Sequence, residues 1–134
     1  MLKVYIKYFS SILFLCFACV ATAQNNNPNN GKKYVTTAFI NGVNNGEIKA
    51  VELCKDSVLT ADSNYVIIEF TLTAKVNSNN DLVQINSHSN KFTEQQKKIL
   101  LTKNPGEKVY IEYIICSDTT GNRYELAPLI ITLK

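Results

Sequence analysis

The chain is short of the residues that carry most chemistry. It has one histidine, His88, and four cysteines in 134 residues, and two of those cysteines, Cys16 and Cys19, lie in an apolar opening stretch. A zinc site draws three or four ligands from Cys, His and carboxylates. His88 with the two separated cysteines Cys54 and Cys116 supplies few of them. His88 sits in the polar run Asn86-Ser87-His88-Ser89-Asn90, where a solvated loop histidine is the expected reading over a general base or a metal ligand. The Gly-x-Gly-x-x-Gly fingerprint and the P-loop pattern are missing, as is an Asp-x-Asp calcium loop. Glu47, Glu52, Asp56, Asp62, Glu69 and Asp81 are spread singly, with no pair in a glycosidase context. The expectation is a protein that is not an enzyme and needs neither cofactor nor metal.

A strong charge of one sign is lacking too. Lysine and arginine number 14 against 11 acidic residues, a formal net charge of +3. Two of those lysines, Lys3 and Lys7, precede an apolar run from Phe9 to Val20 and the small residues Ala21-Thr22-Ala23. A positive start, an apolar middle and a small-residue cleavage site together make a secretory signal peptide over residues 1–23. The run is interrupted by Ser10 and Ser11 and falls short of the roughly 20 apolar residues of a spanning helix, so no membrane segment is expected after cleavage. Ala18-Cys19 meets one condition of a lipoprotein site, but Cys16 stands where an aliphatic residue belongs. Losing the two lysines takes the net charge from +3 to +1, and the remaining basic residues are scattered, so no nucleic-acid partner is expected.

Residues 24–33 (QNNNPNNGKK) form a polar, flexible lead-in, and residues 34–134 read as a single domain. The pattern there has mostly a period of two. Lys33 to Ile40 is a first strand ended by Asn41-Gly42, a good turn former. Glu47 to Cys54 fits a short strand or one helical turn equally well. In Tyr65 to Val76, strict alternation puts Val66, Ile68, Phe70, Leu72, Ala74 and Val76 on one apolar face. Leu82 to Asn86 is expected to pair back on it as a hairpin. Thr93 to Leu101 is the one short helix, with Thr93 and Gln96 forming a capping box. Asn104-Pro105-Gly106 suits a type II turn. In Lys108 to Cys116, alternation places Val109, Ile111, Tyr113 and Ile115 on one face and Tyr110, Glu112, Ile114 and Cys116 on the other. Arg123 to Leu126 and Leu129 to Lys134 are further strands around Pro128. The fold class is mainly β, an antiparallel β-sandwich of immunoglobulin-like or Greek-key-like type with one short helix.

Cys54 and Cys116 remain after cleavage, in a compartment where disulfides persist. A disulfide between them, worth roughly 4 kcal/mol in chain-entropy terms, and two free buried thiols are both open readings. Tyr110, Tyr113 and Tyr124 are the candidate interaction surface, since tyrosines on a sheet make binding faces, although aromatic residues also favour strands for their own sake.

From Asn90 to Leu133 the chain resembles the C-terminal domain family of GldM, the gliding-motility and type IX secretion protein of Bacteroidota. The resemblance rests on Phe92, Gln96-Lys97, the run from Gly106 to Glu112, Ile114, Gly121, Leu126 and Ile130 to Leu133. A looser likeness upstream rests on Gly42, Gly46 and the strand Tyr65 to Val76. The family turn carries Gly-x-Asp-Gly where this chain has Asp118-Thr119-Thr120-Gly121, and the family's following arginine falls on Tyr124, with Arg123 one residue earlier. GldM also has an N-terminal membrane helix and several periplasmic domains, so the likeness is to its tip domain alone. It implies a non-enzymatic β-sandwich that binds another periplasmic or outer-membrane-associated protein, in the periplasm or at the cell surface or outside it. A carbohydrate- or surface-binding adhesin-like sandwich, with the tyrosines as an aromatic platform, is the alternative.

If the signal peptide is read correctly, N-terminal sequencing of the exported protein gives Gln24-Asn25-Asn26 as its first residues. An intact Met1 in the exported fraction overturns that expectation.

Overall fold

The structure is a computed structural model that describes residues 34–76 and 80–134; the signal peptide and the lead-in expected for residues 1–33 lie outside the described residues. Ten elements follow in chain order: β1 (Phe39–Ile40), β2 (Gly46–Ile48), α1 (Ala50–Cys54), β3 (Leu59–Thr60), β4 (Tyr65–Val76), β5 (Asp81–Ser87), α2 (Glu94–Leu101), β6 (Lys108–Asp118), β7 (Arg123–Leu126) and β8 (Leu129–Leu133). The main sheet has the order β2-β8-β6-β4-β5, with β7 beside β8 on the same flank of β6. Every pairing in it is antiparallel except β2 with β8, which is parallel. The mainly β, antiparallel architecture expected from the sequence is therefore what the chain adopts.

One face of this sheet is covered. Ile85, Leu72, Ile111 and Leu129 lie opposite one another across four strands, and Val83, Ala74, Val109 and Ile131 form the next row. Over these rows lie Ala38, Ile40, Leu53, Leu59, Phe92 and Leu100 from the second layer, in one contiguous core. Each such aliphatic or aromatic side chain contributes about 1.5–3 kcal/mol by leaving water. The second layer is slight. It consists of the β1–β3 pair, α1 and α2, one helix more than the sequence reading expected. The segment Glu47 to Cys54, which fitted strand or helix equally, supplies both: Glu47 and Ile48 belong to β2, and Ala50–Cys54 forms α1 with Leu53 fully buried.

Local signals in the sequence act where expected. Asn41 and Gly42 both have positive φ, and Ile40 and Val43 exchange two backbone hydrogen bonds of 2.9 Å across them, the tight turn that an Asn-Gly pair favours. Gly106 takes φ +90° and the Glu107 N–H donates to the Asn104 carbonyl at 3.2 Å, closing the expected turn. The first strand is shorter than its sequence pattern. Of the described residues 34–40, only Phe39–Ile40 joins a ladder. Thr36 instead ties the preceding segment down by its side chain, its hydroxyl donating to Asp62 Oδ2 at 2.5 Å.

The largest departure from strict alternation lies in the two long central strands. Between the pairs Ile67–Cys116 and Thr71–Glu112 the register of β4 against β6 shifts twice. Ile68 is the extra residue in β4. Tyr113, at φ +49°, is the extra residue in β6. Both strands spend the same number of residues between those two pairs, so the bulges cancel and the ladder resumes in register. Each bulge reverses the face that its strand shows to the core. Ile67 is buried where the pattern put Val66, which is 62% exposed. In β6, Ile114 and Cys116 join Val109 and Ile111 in the core, while Tyr113 turns out to solvent. The expected faces of both strands are thus corrected beyond the bulges, because a one-residue insertion inverts a period of two.

The helix α2 is joined to the sheet by one side chain. Gln96 is fully buried. Its Oε1 accepts the Thr93 N–H at 2.9 Å and its backbone N–H donates to the Thr93 hydroxyl at 3.2 Å, completing the capping box. Its Nε2 donates at 2.7 Å to the carbonyl of Ile85 on the edge strand β5. Gln96→Leu fills the same space but strands the Ile85 carbonyl, and is expected to lower stability by about 2–3 kcal/mol. Thr93→Ala, which loses only the cap, is expected to cost about 1 kcal/mol. Urea midpoints check the pair; equal losses would mean that the Ile85 bond contributes nothing.

Candidate interaction surface

No element among the described residues covers the second face of the sheet, and its make-up follows from the register. Tyr110 lies between Thr73 and Ile130, Thr71 between Asn86 and Glu112, and Leu82 faces Lys75. The polar members are tied to one another across strands. Thr71 Oγ1 donates to Asn86 Oδ1 at 2.6 Å, Thr73 Oγ1 to Glu112 Oε2 at 2.6 Å, and Gln84 Nε2 to Thr73 Oγ1 at 3.3 Å. Glu69 accepts from Asn86 Nδ2 at 3.0 Å and from Arg123 Nη2 at 3.1 Å. Such cross-strand pairs fix side chains in place and leave a pre-formed surface between the apolar ones.

Those apolar side chains are conspicuous. Of the large hydrophobic residues exposed among the described residues, Val66, Leu82, Tyr113 and Ile130 are on this face, and Leu82 and Tyr113 are 64% and 60% exposed. Leu82, Tyr110 and Tyr113 line a groove of about 440 Å³ together with Thr73, Gln84, Glu112 and Lys75. A second hollow of about 270 Å³ adjoins it and is lined by Lys75, Lys108, Gly106, Glu107 and Tyr110.

Of the three tyrosines singled out from sequence, the structure brings Tyr110 and Tyr113 together at the groove. Strict alternation had set them on opposite faces, and the bulge at Tyr113 puts both on the open one. Tyr124 lies elsewhere. It pairs with Cys116 on the covered face, meets the ring of Tyr65 edge-on at 5.9 Å, and donates its hydroxyl to Asp118 Oδ2 at 3.0 Å. Leu82 and Ile130 were missed as surface residues. The alternation of β8, with Leu129, Ile131 and Leu133 buried, was the signal that would have placed Ile130 outside.

His88 is 81% exposed, with Nδ1 3.8 Å from Glu69 Oε1. Cys54 and Cys116 are both free. Cys116 is buried in the core, and the Cys54 thiol points to the Lys97 carbonyl at 3.6 Å. Burial pushes both thiols above their ordinary range, which keeps them protonated and poorly nucleophilic at neutral pH. Among the described residues no group of three or more His, Cys, Asp and Glu side chains is placed to hold a metal, and no helix is long and apolar enough to cross a membrane. No protein-family model matches the chain, and no curated protein matches it.

The turn that follows β6 is built on Asp118. Its Oδ1 accepts the Thr120 hydroxyl at 2.7 Å and the N–H groups of Thr120 and Asn122 at 2.9 Å, and its Oδ2 accepts from Asn122 and Tyr124. These bonds, the Thr120 hydroxyl foremost, hold the carboxyl well below the usual aspartate range, and the bond to Asp118 raises Tyr124. A depressed carboxyl contributes stability that is present above the unfolded value, about 3.9, and is lost as pH falls below it. The melting temperature of Asp118→Ala is therefore expected to lie below that of the unaltered chain by a constant margin above about pH 5, and the margin should close in stronger acid. A margin independent of pH would show that the charge is not what the turn uses.

Proposed function

We propose that the domain is a non-enzymatic, exported protein-interaction module that receives its partner on the open sheet face, in the manner implied by the likeness of Asn90 to Leu133 to the tip domain of GldM. It acts in the periplasm after removal of residues 1–23, as an accessory to gliding motility or type IX secretion, and its partner is another periplasmic or outer-membrane-associated protein. The observation that carries this reading is Tyr113. A bulge residue at φ +49° is a position for glycine, and the left-handed conformation costs a residue with a Cβ about 1–2 kcal/mol. Its ring is 60% exposed, so burial returns little of that cost. Backbone strain of this kind, held under an exposed aromatic beside an apolar groove, belongs with recognition rather than stability. The carboxylates Glu69 and Glu112 on the same face are engaged in cross-strand bonds, which supports a surface that binds rather than reacts.

A carbohydrate-binding face is the second reading, favoured by two tyrosine rings beside the polar groups of Gln84 and Glu112 in one groove. A photo-reactive phenylalanine derivative at position 113 separates the two. Cross-linking in cells to one discrete protein, with none from the same residue placed at Val51 on α1, supports the interaction module. Binding on a glycan array with no protein adduct supports the alternative.

Tyr113→Gly is expected to leave the domain as stable or to raise its stability by up to about 1 kcal/mol, while weakening partner binding about tenfold or more. Chemical denaturation and a binding titration measure the two effects. A loss of stability with unchanged binding would assign Tyr113 to the fold alone.

A further inference from the structure

The two adjoining hollows on the open face share a wall, and their chemistry differs. Lys75 and Tyr110 line both. Beyond that wall the larger hollow is lined by Leu82 and Tyr113 and carries the Glu112 carboxylate. The smaller one holds Lys75 and Lys108 together with the Gly106 turn and Glu107. The charges there do not cancel. Glu107 is already engaged, accepting from the Asn104 N–H and lying 3.5 Å from Lys103 Nζ, and the backbone bond from Asn104 first of all holds its carboxyl below the usual range. Lys103 in turn donates to the Lys75 carbonyl. Among the described residues the Lys75 ammonium meets only the neutral Asn80 side chain, at 3.3 Å. The smaller hollow is thus left with the positive charge of Lys75 and Lys108, beside a groove lined by Leu82, the two tyrosine rings and one carboxylate.

We infer that the open face takes an extended segment of a partner protein in which an acidic side chain and a large apolar one lie close together on the same side of the strand. The acid seats between Lys75 and Lys108, and the apolar group lies against Tyr110, Tyr113 and Leu82. Complementary charge selects the occupant. A carboxylate seated in the apolar groove instead would lie near Glu112, and like charges repel. This inference rests on the reading of the open face as a protein-binding surface, and it names the chemistry of the partner that the surface accepts.

The probe is a set of synthetic heptapeptides with blocked ends, carrying one Glu and one Phe or Leu at every relative spacing, and the same peptides with Lys or Gln in place of Glu. Binding to the exported protein is followed by fluorescence anisotropy, and the site by amide shifts at Lys75, Lys108, Tyr110 and Tyr113. Peptides with the acid two residues from the apolar group, on either side of it, are expected to bind best, and Glu→Gln in the peptide to weaken binding about fivefold. Lys75→Glu with Lys108→Glu should remove or reverse the preference for acid, since both lysines are exposed and their exchange leaves the core intact. Affinity should fall with added salt, as exposed charges are screened. Equal binding of acidic and Gln peptides, or amide shifts confined to other faces, overturns the inference, and so does an absence of binding by every peptide. If that result comes with a protein adduct at position 113, only the acidic-apolar preference fails; if no adduct forms either, the interaction reading fails with it.

Discussion

The pairing of β4 with β6 is the constraint on which the rest of the molecule depends. These are the two longest strands, they lie in the middle of the sheet, and β5, β7 and β8 pair directly with one or the other, while β2 joins through β8. Their ladder is interrupted by an extra residue on each side, and neither bulge is tolerable alone. An unmatched insertion at Ile68 would turn Phe70, Leu72 and Ala74 out of step with Ile111 and Val109. The second insertion, at Tyr113, restores the match. What results is a core face that stays continuous through a place where both backbones are locally irregular, and an outer face that gains an exposed ring there.

The covered side owes its order to few contacts. The strands β1 and β3 have two residues each, and α1 is a little over one turn. Short elements of this size do not hold themselves together, so their burial against the sheet supplies their stability. Gln96 and Phe92 are the fixed points. The first joins a helix terminus to the edge strand through one buried amide, and the second meets Phe70 edge-on at 5.2 Å. The turn at Asp118 is closed by a carboxylate that gathers hydroxyl, amide and phenol donors.

The open side of the sheet is ordered by its own side chains. Its polar side chains are spent on one another, which leaves little hydrogen-bonding capacity to be satisfied by a partner and little side-chain freedom to be lost on binding. The apolar rings and Leu82 stand above this layer. The cost of a pre-formed face appears in the backbone at Tyr113, and the flanking lysines add a charge that is not neutralised within the described residues around the hollow.

Much of the local structure was legible along the chain. The capping box at Thr93, the turns at Asn41-Gly42 and Asn104-Pro105-Gly106, and the β-branched runs of β4 and β6 depend on neighbours in sequence, so their signals are contained in a few adjacent residues. The tyrosines were legible as candidates, but not as a site. Whether Tyr110 and Tyr113 share a face depends on a bulge, and a bulge depends on which residue of a distant strand each amide finds; no window of sequence contains both partners. The same holds for Gln96, whose spacing from Thr93 announces a cap while its bond to the Ile85 carbonyl exists only after α2 has docked. Residue type and spacing along the chain determined a mainly β domain with these turns and this helix. The register between β4 and β6, a pairing between residues far apart in the chain, decided which side chains face the core and which two rings meet in the groove.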